Sequence, residues 1–254
     1  MTRSVLVTGG AKRLGAAIAR ACAAGGWRVV IHYGRSKEAA EALAIEIGGV
    51  TVEGDLATIG NLFDRAVAAN GGPIDALVNS ASRFEEDRPE AIDADLAARL
   101  YAINCTAPAL LAAALAAQPT LERGAVVNLL DQKLANPNPD FFSYSLTKYA
   151  LAGATEMMAM AFAPRVRVNA VAPGLTLPSG DQSVDEFARV ARANLLERPV
   201  GAANVAAAVA YLLDAPSVTG QTIYVDAGQR FVKRDGDIMF DGRDRAAMGG
   251  TANG

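Results

Sequence analysis

The chain has 254 residues, 51% of them hydrophobic and 20% charged, so it can bury one large core without disulfide or metal staples. A formal net charge of -3 and a pI near 5.3 exclude a general attraction to nucleic acid or anionic lipid. His32 is the single histidine and Cys22 and Cys105 the only cysteines, which excludes a His/Cys zinc site and every Ser-His or Cys-His mechanism that does not use His32.

In chain order, Ser4 to Thr8 reads as a fully buried strand, Gly9-Gly10 breaks it, and Arg13 to Ala19 opens a helix. Glycines at such a turn let a pyrophosphate approach the backbone, and the helix N-terminus offers free N–H groups and the positive end of its dipole. The spacing Thr8-Gly9-x-x-x-Arg13-x-Gly15 lacks the middle glycine of the three-glycine dinucleotide pattern. A strand this close to Met1 leaves no room for a leader, and no apolar run approaches about 18 residues. The expectation is a cytoplasmic protein without membrane contact.

The second strand, Trp27 to Tyr33, runs into Gly34-Arg35-Ser36-Lys37. Folds that prefer NAD end this strand in an acid that holds the ribose 2′-OH, whereas basic residues there accept a 2′-phosphate. Here no acid is present and Arg35 with Ser36 suits a phosphate, although Arg35 and Lys37 also fit the start of a solvated helix. The expected cofactor is NADP(H).

Glu38 to Ile47 reads as a helix, and Val50 to Leu56 as a short strand whose Asp55 can reach an adenine amino group. Thr58 is expected to cap a helix running to about Asn70, and Ile74 to Asn79 forms the fourth strand. Asp93 to about Ala117 is an Ala/Leu-rich helix in which Asn104 is either a satisfied core amide or a kink that holds a water. The fifth strand, Ala125 to Leu130, runs into Asp131, thirteen positions before Tyr144.

Tyr144 and Lys148 lie one helical turn apart and share a face. A lysine ammonium there stabilises a tyrosinate and draws the tyrosine pKa down from about 10, as proton transfer in hydride chemistry requires. An ordinary surface pair has the same spacing; a carboxylate at the facing strand end turns the pair into a candidate site. The helix continues to Phe162, Arg165 to Val171 is a sixth strand closed by Pro173-Gly174, and Leu175 to Pro199 is a less regular, lid-like segment with a short helix at Val184 to Leu195. A helix from Gly201 to Leu213 and a strand from Gln221 to Asp226 complete one domain, 1–232. The tail, 233–254, has little to bury and is expected to be partly mobile. The alternation implies an α/β class, a single Rossmann-type doubly wound parallel sheet with helices on both faces and ligands at the strands' C-terminal ends.

Thr8-Gly9…Gly15, Asp55, Asn79-x-Ala81, Asn104, Tyr144-x-x-x-Lys148, Arg167-Val168-Asn169 with Pro173-Gly174, and Thr219-Gly220…Asp226-x-Gly228 together resemble the short-chain dehydrogenase/reductase family over Ser4 to Phe231. That resemblance implies Tyr144 as general acid/base, Lys148 lowering its pKa and holding the nicotinamide ribose, and Asn104 orienting a relay water. It implies a cofactor site from Thr8, Gly9, Arg13, Leu14 and Gly15 at the first turn, and His32, Tyr33, Arg35 and Ser36 at the second. Asp55, Leu56, Asn79, Ala81, Pro173, Gly174 and Thr176 complete it, with Tyr144 and Lys148. It also implies a homo-oligomer, a tetramer, for which the Ala-rich helix at Ala107 to Ala117 and the Met-rich face of Thr155 to Phe162 offer packing surfaces.

Arg13 in place of the middle glycine, Asp131 in place of a catalytic serine, and His32-Tyr33-Gly34-Arg35-Ser36 resemble the pteridine and dihydromonapterin reductases of that family. This implies substrate contacts from Arg13, Ser82, Phe84, Asp131 and Tyr144, while Phe141 and Gly34 depart from some of those enzymes and leave the pterin open. A serine hydroxyl donates to a ketone oxygen that becomes negative, whereas an ionised carboxylate repels it. A C=N nitrogen must gain a proton, which a partly buried aspartate of raised pKa can feed through Tyr144. The expected activities, in falling order, are reduction of a pterin or folate by NADPH, reduction of a ketone with Asp131 as a strand-end cap, and NADP(H) sensing without catalysis.

Overall fold

The structure is a computed structural model that describes residues 2–178 and 182–240. Short runs rich in Val, Ile, Leu and Ala form β1 (Ser4–Thr8), β2 (Arg28–Tyr33), β3 (Val50–Glu53), β4 (Ala76–Asn79), β5 (Gly124–Leu129), β6 (Val166–Pro173) and β7 (Thr222–Val225). All pair in parallel, in the order β3-β2-β1-β4-β5-β6-β7. The helices are α1 (Arg13–Ala24), α2 (Lys37–Ile47), α3 (Leu62–Asn70), α4 (Ala94–Tyr101), α5 (Ala107–Ala117), α6 (Phe142–Phe162), α7 (Val184–Val190) and α8 (Ala202–Asp214). Successive strand residues divide between two cores, which is why the strands are apolar throughout and do not alternate. Val5, Val7, Ile31, Val78 and Val127 pack under α1, α2 and α8, while Leu6, Val30, Leu77, Val126 and Val168 pack under α3, α5 and α6. The doubly wound fold expected from the alternation is present. Its strand order reverses between β1 and β4, and the loops leaving those two strands open the crevice where such folds bind ligands.

Several local expectations need correction. The β3 strand stops at Glu53, and Asp55 caps a 3-10 turn, Leu56–Thr58, by accepting the Ala57 N–H at 2.9 Å. Gly60 then takes φ 49, a left-handed conformation that breaks the path, so α3 starts after Asn61 and Thr58 is not its cap. The Ala94–Ala117 run, interrupted by a π-helical turn at Ala102–Thr106, is long and apolar enough by length and composition to cross a membrane, contrary to the expectation that no such run exists. Its α5 half rests on β4 and β5 with Leu111, Ala112 and Leu115 almost fully buried, which is the environment of a core helix. The helix in the segment after β6 is shorter than expected, Val184–Val190.

The last correction concerns the tail. Ile238–Phe240 forms a 3-10 turn whose Phe240 is 7% exposed, in a cluster with Leu96, Leu100, Phe141 and Tyr144. Residues 233–240 therefore belong to the packed body, beyond the boundary expected at 232; the remainder of the tail lies outside the described residues. Three aromatic rings and one buried ion pair supply the contacts that composition alone did not reveal.

Candidate active site

The start of α6 sets the position of Tyr144. Phe141 turns left-handed (φ 55) just ahead of the helix and supplies no cap of its own. Asp87, from the long loop after β4, does so instead: its backbone carbonyl accepts the Phe142 N–H at 3.1 Å, and its carboxylate accepts the Ser143 N–H at 2.8 Å and the Ser143 hydroxyl at 2.5 Å. A negative charge on the orphan N–H groups of a helix N-terminus is favourable, by about 0.3–1 kcal/mol at an ordinary surface and more when buried.

One turn on, the Tyr144 hydroxyl donates to Asp131 Oδ2 at 2.8 Å. Asp131 stands two residues beyond β5 and caps the 3-10 turn Gln132–Leu134, with Oδ1 accepting the Lys133 N–H at 2.9 Å. One carboxylate oxygen thus holds the turn and the other holds the phenol. Lys148 donates to the Leu129 carbonyl at 2.9 Å, with its ammonium 5.5 Å from the centre of the Tyr144 ring.

Burial raises the Asp131 pKa above the usual carboxylate range, against the pull of the Lys133 N–H and the Tyr144 hydroxyl. Tyr144 lies well above 10, first because it is buried and then because the Asp131 charge sits beside it. Burial also brings Lys148 down to about 8, with the Asp131 charge pulling the other way. Burial and the nearby carboxylate therefore push the Tyr144 pKa up, opposite to the lowering expected from Lys148.

The first turn packs so closely against itself and the β4 exit that Gly9 and Gly15 have no room for a side chain. A Cβ on Gly15 would meet the Gly9 carbonyl oxygen at 2.1 Å, and one on Gly9 (φ 61) would meet Ala81 Cα at 2.9 Å. The N-cap of α1, Lys12, makes no side-chain cap bond and the first turn of the helix carries no acid, so its N–H groups stay available to an anion. Arg13, itself left-handed (φ 54), donates to the Pro178 carbonyl, and Leu14 lines the cavity described below. Thr8 Oγ1 accepts the Ser80 and Ala81 N–H groups at 3.0 and 3.1 Å, which fixes the β4 exit against the β1 exit.

Exposed Arg35 follows β2, and Ser36 begins α2 without a side-chain cap bond. His32 and Tyr33, expected beside them at the cofactor, have side chains in the interior at 2% and 7% exposure. The His32 ring accepts the Gly9 N–H on Nδ1 at 3.2 Å and reaches the Gly54 carbonyl from Nε2 at 3.1 Å. That pattern is the neutral Nε2–H tautomer, and it makes His32 a brace for the glycine turn. Asn79 is likewise internal, donating to Asn128 Oδ1 at 2.8 Å, so its side chain links strands and does not face the crevice. Asp55 is exposed at the β3 exit, with Leu56 buried beneath it.

Beyond β6, the Gly174 N–H bonds the Val225 carbonyl at 3.0 Å, the Thr176 hydroxyl folds back on the Gly174 carbonyl at 2.8 Å, and Pro173, Gly174 and Thr176 all line the cavity.

On the substrate side, Asn104 is a satisfied amide within the π-helical turn. It accepts the Arg83 N–H at 2.8 Å and the Ser82 hydroxyl at 3.3 Å, and donates to the Arg83 carbonyl and to Thr147 at 2.9 and 3.2 Å. The geometry makes Asn104 a positioning residue for the Ser82–Arg83 loop. Phe84 stacks on Phe141 with ring centroids 4.0 Å apart and meets Tyr144 edge-on at 4.7 Å. A cavity of about 250 Å³ gathers Arg13, Ser82, Phe84, Asp131, Tyr144 and Lys148 on one wall system. Further lining residues escaped the sequence reading: the polar Ser80, Gln132, Lys133, Gln229 and Asp237, and the apolar Leu129, Leu130, Leu175, Leu177 and Ile238. Leu130, Gln132 and Lys133 had an available signal in their nearness to Asp131, as did Ser80 beside Asn79 and Leu175 beside Gly174, whereas Gln229, Asp237 and Ile238 had none.

The fold and this trio define a class, and the comparisons agree. A family model described as Enoyl-(Acyl carrier protein) reductase matches residues 9–230, and the chain belongs to the short-chain dehydrogenase/reductase family of oxidoreductases. Among solved structures it is similar to FolM Alternative dihydrofolate reductase 1 from Brucella canis, complexed with NADP, at 41% identity and TM-score 0.88, covering 93% of this chain and 97% of that one. It is also 32% identical to pteridine reductase 1 of Leishmania tarentolae, over 88% of this chain and 94% of that protein. The 3-oxoacyl-[acyl-carrier-protein] reductase FabG of Staphylococcus aureus is 32% identical too, over 90% and 98%.

Proposed function

We propose that the protein is an NADPH-dependent reductase of a pterin or dihydropterin/dihydrofolate C=N bond. The observation that carries this reading is the 2.8 Å hydrogen bond from Tyr144 to a carboxylate with a raised pKa. Reduction of C=N requires a proton at nitrogen: once protonated, Asp131 reverses this bond and donates to the Tyr144 oxygen while the phenol gives its own proton to the substrate nitrogen, which leaves Asp131 as the carboxylate that accepts from Tyr144. Likeness to the Brucella canis protein and to pteridine reductase 1 supports the substrate class.

NADPH, when bound, supplies the hydride. This chain supplies a side-chain-free turn at Gly9 and Gly15, the uncapped α1 N-terminus for phosphates, and Arg35 with Ser36 for a 2′-phosphate. Lys148, which lines the cavity, would hold a ribose hydroxyl, and Phe84 would offer an aromatic wall for a flat heterocycle.

A carbonyl reductase is the second reading, favoured by the similarity to the Staphylococcus aureus ketoacyl reductase. NADPH oxidation measured against dihydromonapterin, dihydrobiopterin, dihydrofolate and a ketone panel separates the two. Turnover of dihydropterins supports the first, and turnover of ketones alone replaces it with the second.

A further inference from the structure

We infer that Gln132 is a substrate-binding residue whose carboxamide pairs with a donor–acceptor edge of the heterocycle, a lactam or an aminopyrimidine. The inference deepens the pterin reading and rests on it. Gln132 is 8% exposed and lines the same cavity as Asp131 and Tyr144. Its Oε1 is buried with no hydrogen-bond partner, and its Nε2 makes no hydrogen bond among the described residues. Its neighbours in sequence are both committed. Asp131 binds Tyr144 and the Lys133 N–H, while Lys133 Nζ donates to the Asp140 carbonyl and to Asp237, each at 2.8 Å.

A buried amide left without partners is costly to the fold, and such groups in native proteins call for an explanation. Other orphaned acceptors, Asn70 Oδ1 and Asn79 Oδ1, belong to residues outside the cavity lining, and both use their amide nitrogens within the protein. Among the described residues, Gln132 alone combines an unpartnered carboxamide oxygen with a place on the cavity wall. Rotation about its last side-chain bond exchanges oxygen and nitrogen, so the wall offers one donor and one acceptor side by side. A simple ketone has no edge that satisfies both. An aminopyrimidinone ring has several, and Tyr144 and Phe84 line the same cavity as Gln132.

The test is direct binding to the NADP-loaded protein, with 2-amino-4-oxopteridine and unsubstituted pteridine as probes, in wild type, Gln132→Met and Gln132→Leu. The expected result is that both variants bind the aminopteridine about tenfold more weakly, bind unsubstituted pteridine as wild type does, and keep wild-type NADP affinity. Their unliganded melting temperatures should equal or exceed that of wild type, because an unsatisfied polar group has been removed. Equal affinity of wild type and variants for the aminopteridine overturns the inference and leaves the pterin reading standing. Lower melting temperatures together with lost NADP binding also overturn it, by showing a structural amide. A wild-type protein that binds neither probe but reduces ketones overturns the pterin reading itself, and this inference with it.

Discussion

Tyr144 and Asp131 are joined by a 2.8 Å hydrogen bond in which the phenol donates and the carboxylate accepts. On the proposed reading, in which Tyr144 is the proton donor, the bond couples that donor to a buried acid. Burial raises both pKa values, so the pair holds its protons up to a higher pH than either group would in water. This suits a substrate that must be protonated, and the following outcomes rest on it and on the scaffold around it.

Cofactor preference should reside in the residues after β2. Arg35 is exposed beside Ser36, whose hydroxyl caps nothing. We expect Arg35→Ala to raise the KM for NADPH about tenfold or more and to leave that for NADH nearly unchanged. Equal KM values for the two cofactors in the wild-type enzyme would contradict the assignment.

His32 braces the glycine turn only while neutral. Burial lowers its pKa below 6.5, with nearby Arg65 acting in the same direction and the Gly54 carbonyl and Asp55 opposing. A depressed folded-state pKa means that stability is complete above the unfolded value and is lost as pH falls through it. Protonation would also turn Nδ1 into a second donor facing the Gly9 N–H. The melting temperature and NADPH affinity of wild type should therefore decline together as pH drops from about 7.5 to about 5.5, and His32→Leu should be weaker at every pH and lack that decline. An NADPH affinity in wild type that does not change over this range would refute the brace.

The C-terminal turn should be held by charge as well as by rings. Lys133 and Asp237 pair at 2.8 Å with side chains 4% and 13% exposed, and the Asp237 N–H donates to Asp140 Oδ2 at 2.7 Å. Removing one partner of such a pair leaves the other charge buried, a loss of about 3–5 kcal/mol unless the segment detaches. Asp237→Ala is expected to lower the melting temperature, to expose residues near Phe240 to protease, and to raise the KM for the substrate, because Asp237 and Ile238 line its cavity. Wild-type protease resistance would show that the aromatic contacts suffice.

The outer faces of α5 and α6 carry Leu110, Leu146, Met157 and Met160, at 49%, 50%, 65% and 81% exposure. Large apolar groups so exposed are suited to a symmetric interface. Light scattering at micromolar concentration should give a homo-oligomer, a tetramer by the family resemblance, and Met160→Glu should shift it toward smaller species. A monomeric wild type would refute this.

The strand–turn–helix start and the parallel sheet were legible from local periodicity, and the Tyr144–Lys148 pair from its spacing along one helix, with Asp131 joined to them by its place at the end of the strand before that helix. The Asp87 cap on α6 was not, since the two are 56 positions apart and only the fold brings them together. Phe240 and Asp237 were hidden for the same reason, behind a polar tail composition. The direction of the Tyr144 shift depends on burial and on which charge lies nearer, quantities that a four-residue spacing does not contain. His32 illustrates the limit of a motif: its position beside the cofactor turn was readable, but the inward direction of its ring was not.

The central claim is that Asp131 supplies and positions the proton for C=N reduction, and Asp131→Ser tests it most directly. With dihydromonapterin or dihydrobiopterin and saturating NADPH, kcat should fall by roughly 10²–10⁴-fold, the range of general acid catalysis. NADPH affinity and the fold should persist, because Gly9, Gly15, Arg35 and Lys148 are untouched. Dihydropterin turnover within about twofold of wild type would show that the carboxylate merely caps the Gln132–Leu134 turn, and would contradict the account.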